Sequence, residues 1–332
     1  MGAETMLPSI RIDSWDDWTR VYNDVSVWRG LVDAICAQES IGYREIRSAS
    51  ANTNAVFLLD RAWALKIYSP FWDEFDLERR LVDALRLEES IPVPDPVGSG
   101  QVADADGVAW DYLITRFCPA RPFSEIRQEL SEKEAVSLAE QLGRMVRRLH
   151  SLDVSRFANA GTRRNWGDLV TARRGAAVGE LIAGGVLDAG LEGSLSALLD
   201  DAIGADLAES RVVAHGDLGA DHVLCSRSDG GWRIEALIDF GDAKIGVAEY
   251  EWMPVWMGFC KLDPTLARAF LDAYDPALPG DSQFARRAVA WTLLHDFGAD
   301  EVIRQWRERG QGRAIGTMEE LEALLCPGSI FG

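Results

Sequence analysis

The sequence predicts an α+β protein of two lobes, with a small antiparallel sheet in the N-terminal lobe and a mainly helical C-terminal lobe. Three observations carry this. Short alternating apolar runs of β type crowd between Ile41 and Thr115. From Pro119 onward the apolar spacing turns helical. Two further short runs, ending at Ala214 and Ile238, lead into the acidic tripeptides His215-Gly216-Asp217 and Asp239-Phe240-Gly241. A chain of 332 residues with 47% hydrophobic composition is long enough for two cores. The change of pattern divides it into 1–116, a lobe with a helical extension at its start, and 117–332, the mainly helical lobe.

Each element follows from its own residues. Over 11–37, Trp15, Trp18, Val21, Val25, Trp28, Leu31, Val32 and Ile35 recur close to helical spacing and predict the N-terminal extension. Strands are predicted at Val56–Leu59, Trp63–Tyr68 and Trp110–Thr115, the first two separated by Asp60-Arg61. Between them, 73–88 places Leu77, Leu81 and Leu85 on one helical face. That helix ends before Ile91-Pro92-Val93-Pro94-Asp95-Pro96, because proline cannot donate to the helical ladder. In the second lobe the clearest helix is 131–150, with Ser131 and Glu134 spaced as a capping box. Residues 171–195, rich in Gly and Ala, give no pattern. Strands follow at Arg211–Ala214 and Ile234–Ile238, with turn residues Ser228-Asp229-Gly230-Gly231, and then helical patterns at 265–273, 284–294 and 318–325.

A net charge of −19 argues against nucleic acid as partner, because a polyanion is bound by neutralising its phosphates, and it suits a cationic partner. No run of 18 apolar residues occurs, and the opening MGAETMLPSI lacks the basic flank and apolar segment of a secretory signal. A cytoplasmic protein with no membrane partner is expected, as a monomer or weak homodimer. Five cysteines, odd in number and without CxxC spacing, are expected to be reduced thiols.

The two acidic tripeptides, with His222 between them, suit phosphoryl transfer. One carboxylate receives the proton of an acceptor hydroxyl while the other holds magnesium against nucleotide phosphates. Asp217, at the mouth of a loop, is the candidate for the first role. Asp239, after the apolar Ala236-Leu237-Ile238, is the candidate ligand for a hard cation. Each has a plainer reading as a turn-capping Asp. His222 stands where kinases place an Asn that binds the second magnesium, and imidazole is a softer ligand. It reads as a tolerated ligand, as a hydrogen-bond partner behind the ligands, or as a mark of lost activity. Upstream, Lys66 is the one charge in the alternating run Ala64-Leu65-Lys66-Ile67-Tyr68 and needs an anion. Nucleotide phosphates and Glu78, on the following helix, both qualify. Asn52, Thr53 and Asn54 precede the first strand and offer small residues and N–H groups that can close over phosphates.

Together these residues resemble the aminoglycoside phosphotransferase family, relatives of the protein kinases. The resemblance runs from Asn52-Thr53-Asn54 through Lys66, Glu78, Leu113-Ile114-Thr115-Arg116-Phe117 and His215-Gly216-Asp217 to Ile238-Asp239-Phe240. Within the family the chain is most similar to hygromycin B phosphotransferases, through Arg11-Ile12-Asp13-Ser14, the Tyr250 segment and Leu294-His295-Asp296-Phe297. The resemblance implies a two-lobed protein-kinase-like fold using ATP or GTP with Mg2+. It implies that Thr115 and Phe117 offer their backbones to the base, that Glu78 orients a phosphate-holding Lys66, and that His222 and Asp239 hold the metal. Some aminoglycoside and macrolide branches of the family also carry His at that position. A polycationic amino sugar needs carboxylates and flat aromatic faces. Asp242, Glu249, Glu251, Trp256, His295 and Asp296 are the acceptor candidates, each with a plainer reading as a cap, a surface charge or a core aromatic. Three other functions stand beside an aminoglycoside kinase: a kinase for a macrolide or small metabolite, a metal-dependent hydrolase built on His215, Asp217, His222, His295 and Asp296, and a nucleotide-binding pseudokinase.

Overall fold

The computed structural model describes residues 9–49, 53–157, 165–206, 211–278, 281, 283–310 and 312–330. They form two compact units, one of the described residues up to Pro119 and one of those from Ala120 onward.

In the first unit the predicted N-terminal helix is two helices, α1 (Trp15–Val21) and α2 (Val25–Gln38). The break falls at Asp24, whose carboxylate accepts the Ser26 N–H as an N-cap, and a cap residue needs extended backbone. Five strands follow, with one helix among them: β1 (Ile46–Ser48), β2 (Ala55–Leu59), β3 (Trp63–Ile67), α3 (Phe75–Leu85), β4 (Pro96–Ala103) and β5 (Ala109–Arg116). They make an antiparallel sheet of order β1-β2-β3-β5-β4. Strand β4 lies just beyond the prolines that end the helix, in a stretch to which the sequence assigned no element. It is an edge strand that starts at Pro96 with an irregular register, and an edge tolerates the missing donor. Asp60 and Arg61 close the β2–β3 turn with positive φ. Both Asp60 carboxylate oxygens accept N–H groups from Arg44 and Glu45, which holds a conformation usually left to Asn-Gly.

Alternation decides which face each strand residue serves. Phe57, Leu65, Ile67, Trp110 and Tyr112 join Trp18, Trp28 and Leu31 of the helices in one buried core. Lys66, between Leu65 and Ile67, therefore points to the opposite face. The rings of Trp18, Trp28 and Trp110 lie within 5.1–6.1 Å of one another, and the Trp18 and Trp28 N–H groups donate to the carbonyls of Thr53 and Val21. The buried indoles thus lose no hydrogen bond.

The second unit opens with β6 (Arg121–Pro122), α4 (Phe123–Ile126) and α5 (Glu132–His150), the last starting at the predicted capping box, with both reciprocal bonds of Ser131 and Glu134 present. Helix α6 (Trp166–Ala183) and the start of α7 (Glu192–Asp206) lie in 171–195, the stretch that gave no pattern. Helix α6 touches α7, later helices and a strand, so neighbours on several sides replace the single apolar stripe that a sequence can display. Strands β7 (Val212–Ala214), β8 (Val223–Ser228), β9 (Gly231–Leu237) and β10 (Lys244–Gly246) form two small antiparallel sheets, β6-β8-β9 and β7-β10. The predicted strand before Asp239 is β9, and the expected turn residues join it to β8. Helices α8 (Pro264–Tyr274), α9 (Phe284–Leu294), α10 (Gly298–Glu308) and α11 (Met318–Leu325) complete the unit. Helices α5 and α8 pack closely because Gly143 lets the Phe270 carbonyl into the place a Cβ would fill. No helix among the described residues is long and apolar enough to cross a membrane. Cys36, Cys225, Cys260 and Cys326 are buried free thiols.

Candidate active site

In the second unit β7 delivers the chain into the loop 215–222. Glu251 is fully enclosed and accepts the N–H groups of His215 (2.6 Å) and Gly216 (3.2 Å), one on each carboxylate oxygen. Burial works against its charge, but His150, His215 and these N–H bonds outweigh it and hold its pKa below the usual carboxylate range. Gly216 sits at φ +80°, and a Cβ there would collide with the Asp242 carbonyl oxygen. Only glycine fits both demands. The His215 ring is buried with both nitrogens used: Nε2–H donates to the Ile238 carbonyl at 3.0 Å, and Nδ1 accepts the Asp217 N–H at 3.3 Å. Burial pushes its pKa down to about 4, so the ring is a neutral strut that ties the loop to the end of β9.

This scaffold presents Asp217, His222 and Asp239 side by side. Burial, with the charges of Asp239 and Glu251 added, raises the Asp217 pKa to about 6, and His222 opposes the rise. His222 Nδ1 lies 2.5 Å from the Asp217 carbonyl oxygen and therefore carries the proton. In the neutral ring the lone pair is then on Nε2, the nitrogen 3.7 Å from Asp239 Oδ2. Asp239 itself sits in left-handed backbone at φ +67°, a region that Asp tolerates better than most residues. Among the described residues no group of three or more His, Cys, Asp or Glu side chains forms a ready metal cage. A magnesium ion needs none, since it binds through one or two carboxylates with substrate phosphates and water.

In the first unit Lys66 Nζ stands 2.7 Å from Glu78 Oε2, with both side chains largely enclosed. The same Glu78 oxygen accepts the Tyr68 hydroxyl at 2.7 Å, and the ammonium lies 4.9 Å from the Tyr68 ring centre. Helix α3 thus supplies the anion that the strand Lys requires.

Several expected contacts are corrected. Asn52 lies outside the described residues. Asn54 turns inward: its amide donates to Glu74 at 2.8 Å and its carbonyl oxygen accepts the Ser69 N–H at 2.9 Å, so the side chain braces the sheet instead of facing phosphate. The Thr53 carbonyl holds Trp18. Thr115 is paired inside the sheet with Ala64 and Pro96. The Phe117 N–H donates to the Ala62 carbonyl at 2.9 Å, which removes that donor from a bound base. Trp256 is buried, stacked on Trp252, with its N–H on the Leu324 carbonyl at 3.1 Å. His295 is buried under Tyr250 at a ring separation of 4.1 Å, and burial, helped by Lys244, drives its pKa down to about 3. These two belong to the core because their rings fill it. Glu249 is ion-paired to Arg287 at 2.6 Å. With His215 and His295 both enclosed, the five-residue hydrolase cluster is not assembled. Asp242 and Asp296 remain the acceptor candidates, Asp296 standing 3.9 Å from Lys244. Glu251 acts behind the loop, where it holds two backbone N–H groups, and its place inside the aromatic run Tyr250-Glu251-Trp252 was the available sign that this charge is buried.

Among solved structures, the GDP and kanamycin complex of APH(2")-IIia is 17% identical, covers 85% of this chain and 99% of its own, and superposes with a TM-score of 0.62. Aminoglycoside-3'-phosphotransferase of type VIII is 21% identical with coverage of 85% and 99% and a TM-score of 0.56. The apo form of a thermostable mutant of aminoglycoside phosphotransferase APH(4)-Ia is 18% identical with coverage of 84% and 99% and a TM-score of 0.56. Likeness at such identities speaks for a shared kinase-like fold. No curated protein matches the sequence. The model of the phosphotransferase enzyme family matches residues 42–291, which include Lys66, Glu78, Asp217, His222 and Asp239, and the chain belongs to that family.

Proposed function

We propose that this phosphotransferase moves the γ-phosphoryl group of ATP or GTP to a hydroxyl of an aminoglycoside, with hygromycin B as the first acceptor to test, and does so in the cytoplasm. The observation that carries the reading is the loop held by Glu251, which brings Asp217, His222 and Asp239 together. In the proposed reaction the acceptor oxygen forms a bond to Pγ, the bond from Pγ to the bridging β-phosphate oxygen breaks, and the nucleoside diphosphate leaves. The hydroxyl proton passes to an Asp217 carboxylate oxygen. Such loose transition states ask for positioning more than for basicity, and a carboxylate with a raised pKa is suited to receive that proton near neutrality.

Asp239 and His222 Nε2 are the proposed holders of Mg2+, which when bound neutralises charge on the phosphates. Lys66, fixed by Glu78, is the proposed phosphate contact. Asp242 and Asp296 suit the ammonium groups of an amino sugar, and the overall charge of −19 favours such a substrate. The relatives named above include a complex with kanamycin, which supports an amino sugar as acceptor here.

Labelled ATP and GTP offered with hygromycin B, kanamycin, a macrolide and choline test the reading. Transfer to at least one aminoglycoside is expected, falling by about 10³-fold in Asp217→Asn with the circular dichroism unchanged. Transfer to the macrolide or to choline alone would replace the acceptor class, and turnover that survives Asp217→Asn would remove Asp217 from the reaction.

A further inference from the structure

Beside Glu251 the second unit contains a cavity of about 320 Å³ that Asp217 and Asp239 do not line. That volume lies at the small end of ligand pockets, which run from about 300 to 1,000 Å³. Its polar lining is His150, Glu249, Glu251, Tyr274 and Asp275, and no Lys or Arg is among the described lining residues. Its apolar walls include the rings of Trp252 and Phe284.

The His150 ring reports what the cavity lacks. Its side chain is 6% exposed, Nδ1 lies 2.9 Å from the Tyr274 hydroxyl, and Nε2 is buried with no hydrogen-bond partner among the described residues. Glu251 Oε2 stands 3.6 Å from Nε2, beyond hydrogen-bond reach but near enough to favour the proton on that nitrogen. Tyr274 then donates to Nδ1. An N–H and a carboxylate oxygen are left side by side at the cavity wall, and a hydroxyl satisfies both by accepting from His150 and donating to Glu251. The remaining carboxylates, Glu249 and Asp275, add negative charge that Arg287 offsets only at Glu249. An ammonium group suits that charge, and a ring suits the Trp252 and Phe284 walls.

We propose that this cavity is a second ligand site, separate from the phosphoryl-transfer residues, for a small organic amine carrying a hydroxyl and an apolar ring. The proposal does not depend on the identity of the phosphoryl acceptor. The probe is 2-amino-1-phenylethanol, titrated into the full chain by calorimetry. Saturable binding with Kd on the order of 1 mM or tighter is expected. The uncharged analogue 1-phenylethane-1,2-diol should bind at least about tenfold more weakly, because it lacks the ammonium. Leu278, half-buried at the cavity, accepts a larger side chain, so Leu278→Trp should fill the space and weaken the probe by about tenfold or more with an unchanged thermal midpoint. His150→Phe should weaken it similarly by removing the N–H. No saturable binding at about 10 mM overturns the proposal, as does a diol that binds as tightly as the amine, or binding indifferent to Leu278→Trp.

Discussion

His222 is where the chain departs from the family's usual Asn, and the geometry turns that departure into a measurable metal preference. Imidazole nitrogen suits transition metals better than magnesium, whereas an amide oxygen suits magnesium. With Nδ1 committed to the Asp217 carbonyl, Nε2 is the atom that would ligate. The ratio of turnover with Mn2+ to turnover with Mg2+ should therefore fall several-fold in His222→Asn; an unchanged ratio would place the ring behind the ligands. At Gly216 the expected result is steric. Gly216→Ala forces a Cβ against the Asp242 carbonyl at a positive φ and should cost about 1–3 kcal/mol of unfolding free energy, read by urea titration, together with most of the activity. His295 gives a pH effect. Its folded pKa lies near 3 and its unfolded value near 6.5, so the unfolded chain takes up a proton that the folded one refuses, and stability falls as pH falls through that window. Between pH 7 and pH 5 this ring should account for roughly 2 kcal/mol of lost stability, a slope that His295→Asn, which keeps an acceptor for the Phe297 N–H, should reduce.

At the scale of elements, legibility followed how local the cause was. The α5 start was readable because a capping box joins neighbours in sequence, and its removal has a defined cost: Ser131→Ala should destabilise the second unit by about 1 kcal/mol, measured as a shift of the urea midpoint at constant m-value. The partnership of Lys66 with Glu78 was readable because a lone charge in an alternating strand requires an anion and the next helix offers one at a suitable face. Trp256 and His295 were not, since a Trp or His near a motif has the same letters whether it faces a ligand or the core, and only packing decides. Helices α6 and α7 were hidden by neighbours on several sides, β8 by a burial pattern that does not alternate, and β10 by brevity, since so short a strand is fixed by the partner that pairs with it and not by its own alternation. The role of Glu251 was hidden for a related reason: its partners, the N–H groups of His215 and Gly216, lie 36 and 35 residues away along the chain.

For the molecule as a whole, the dominant physical quantity is its charge of −19, which no single element explains. Part of that charge is internally compensated, as in the pairs of Arg287 with Glu249 and of Arg304 with Glu301, but the excess of acids leaves a net negative field around the chain. A field of this sign concentrates polycations and raises their encounter rate, and salt screens it over a Debye length of about 10 Å at 0.1 M. For a polycationic amino-sugar acceptor at saturating nucleotide, raising NaCl from about 20 mM to about 200 mM should lower kcat/KM several-fold, while kcat, which is measured on the bound complex, changes little. An uncharged acceptor should show no such split. Stopped-assay kinetics across the salt series distinguish the cases: a kcat/KM for the amino sugar that is flat with salt would mean that the net charge plays no part in acceptor capture and that local carboxylates such as Asp242 and Asp296 carry recognition alone.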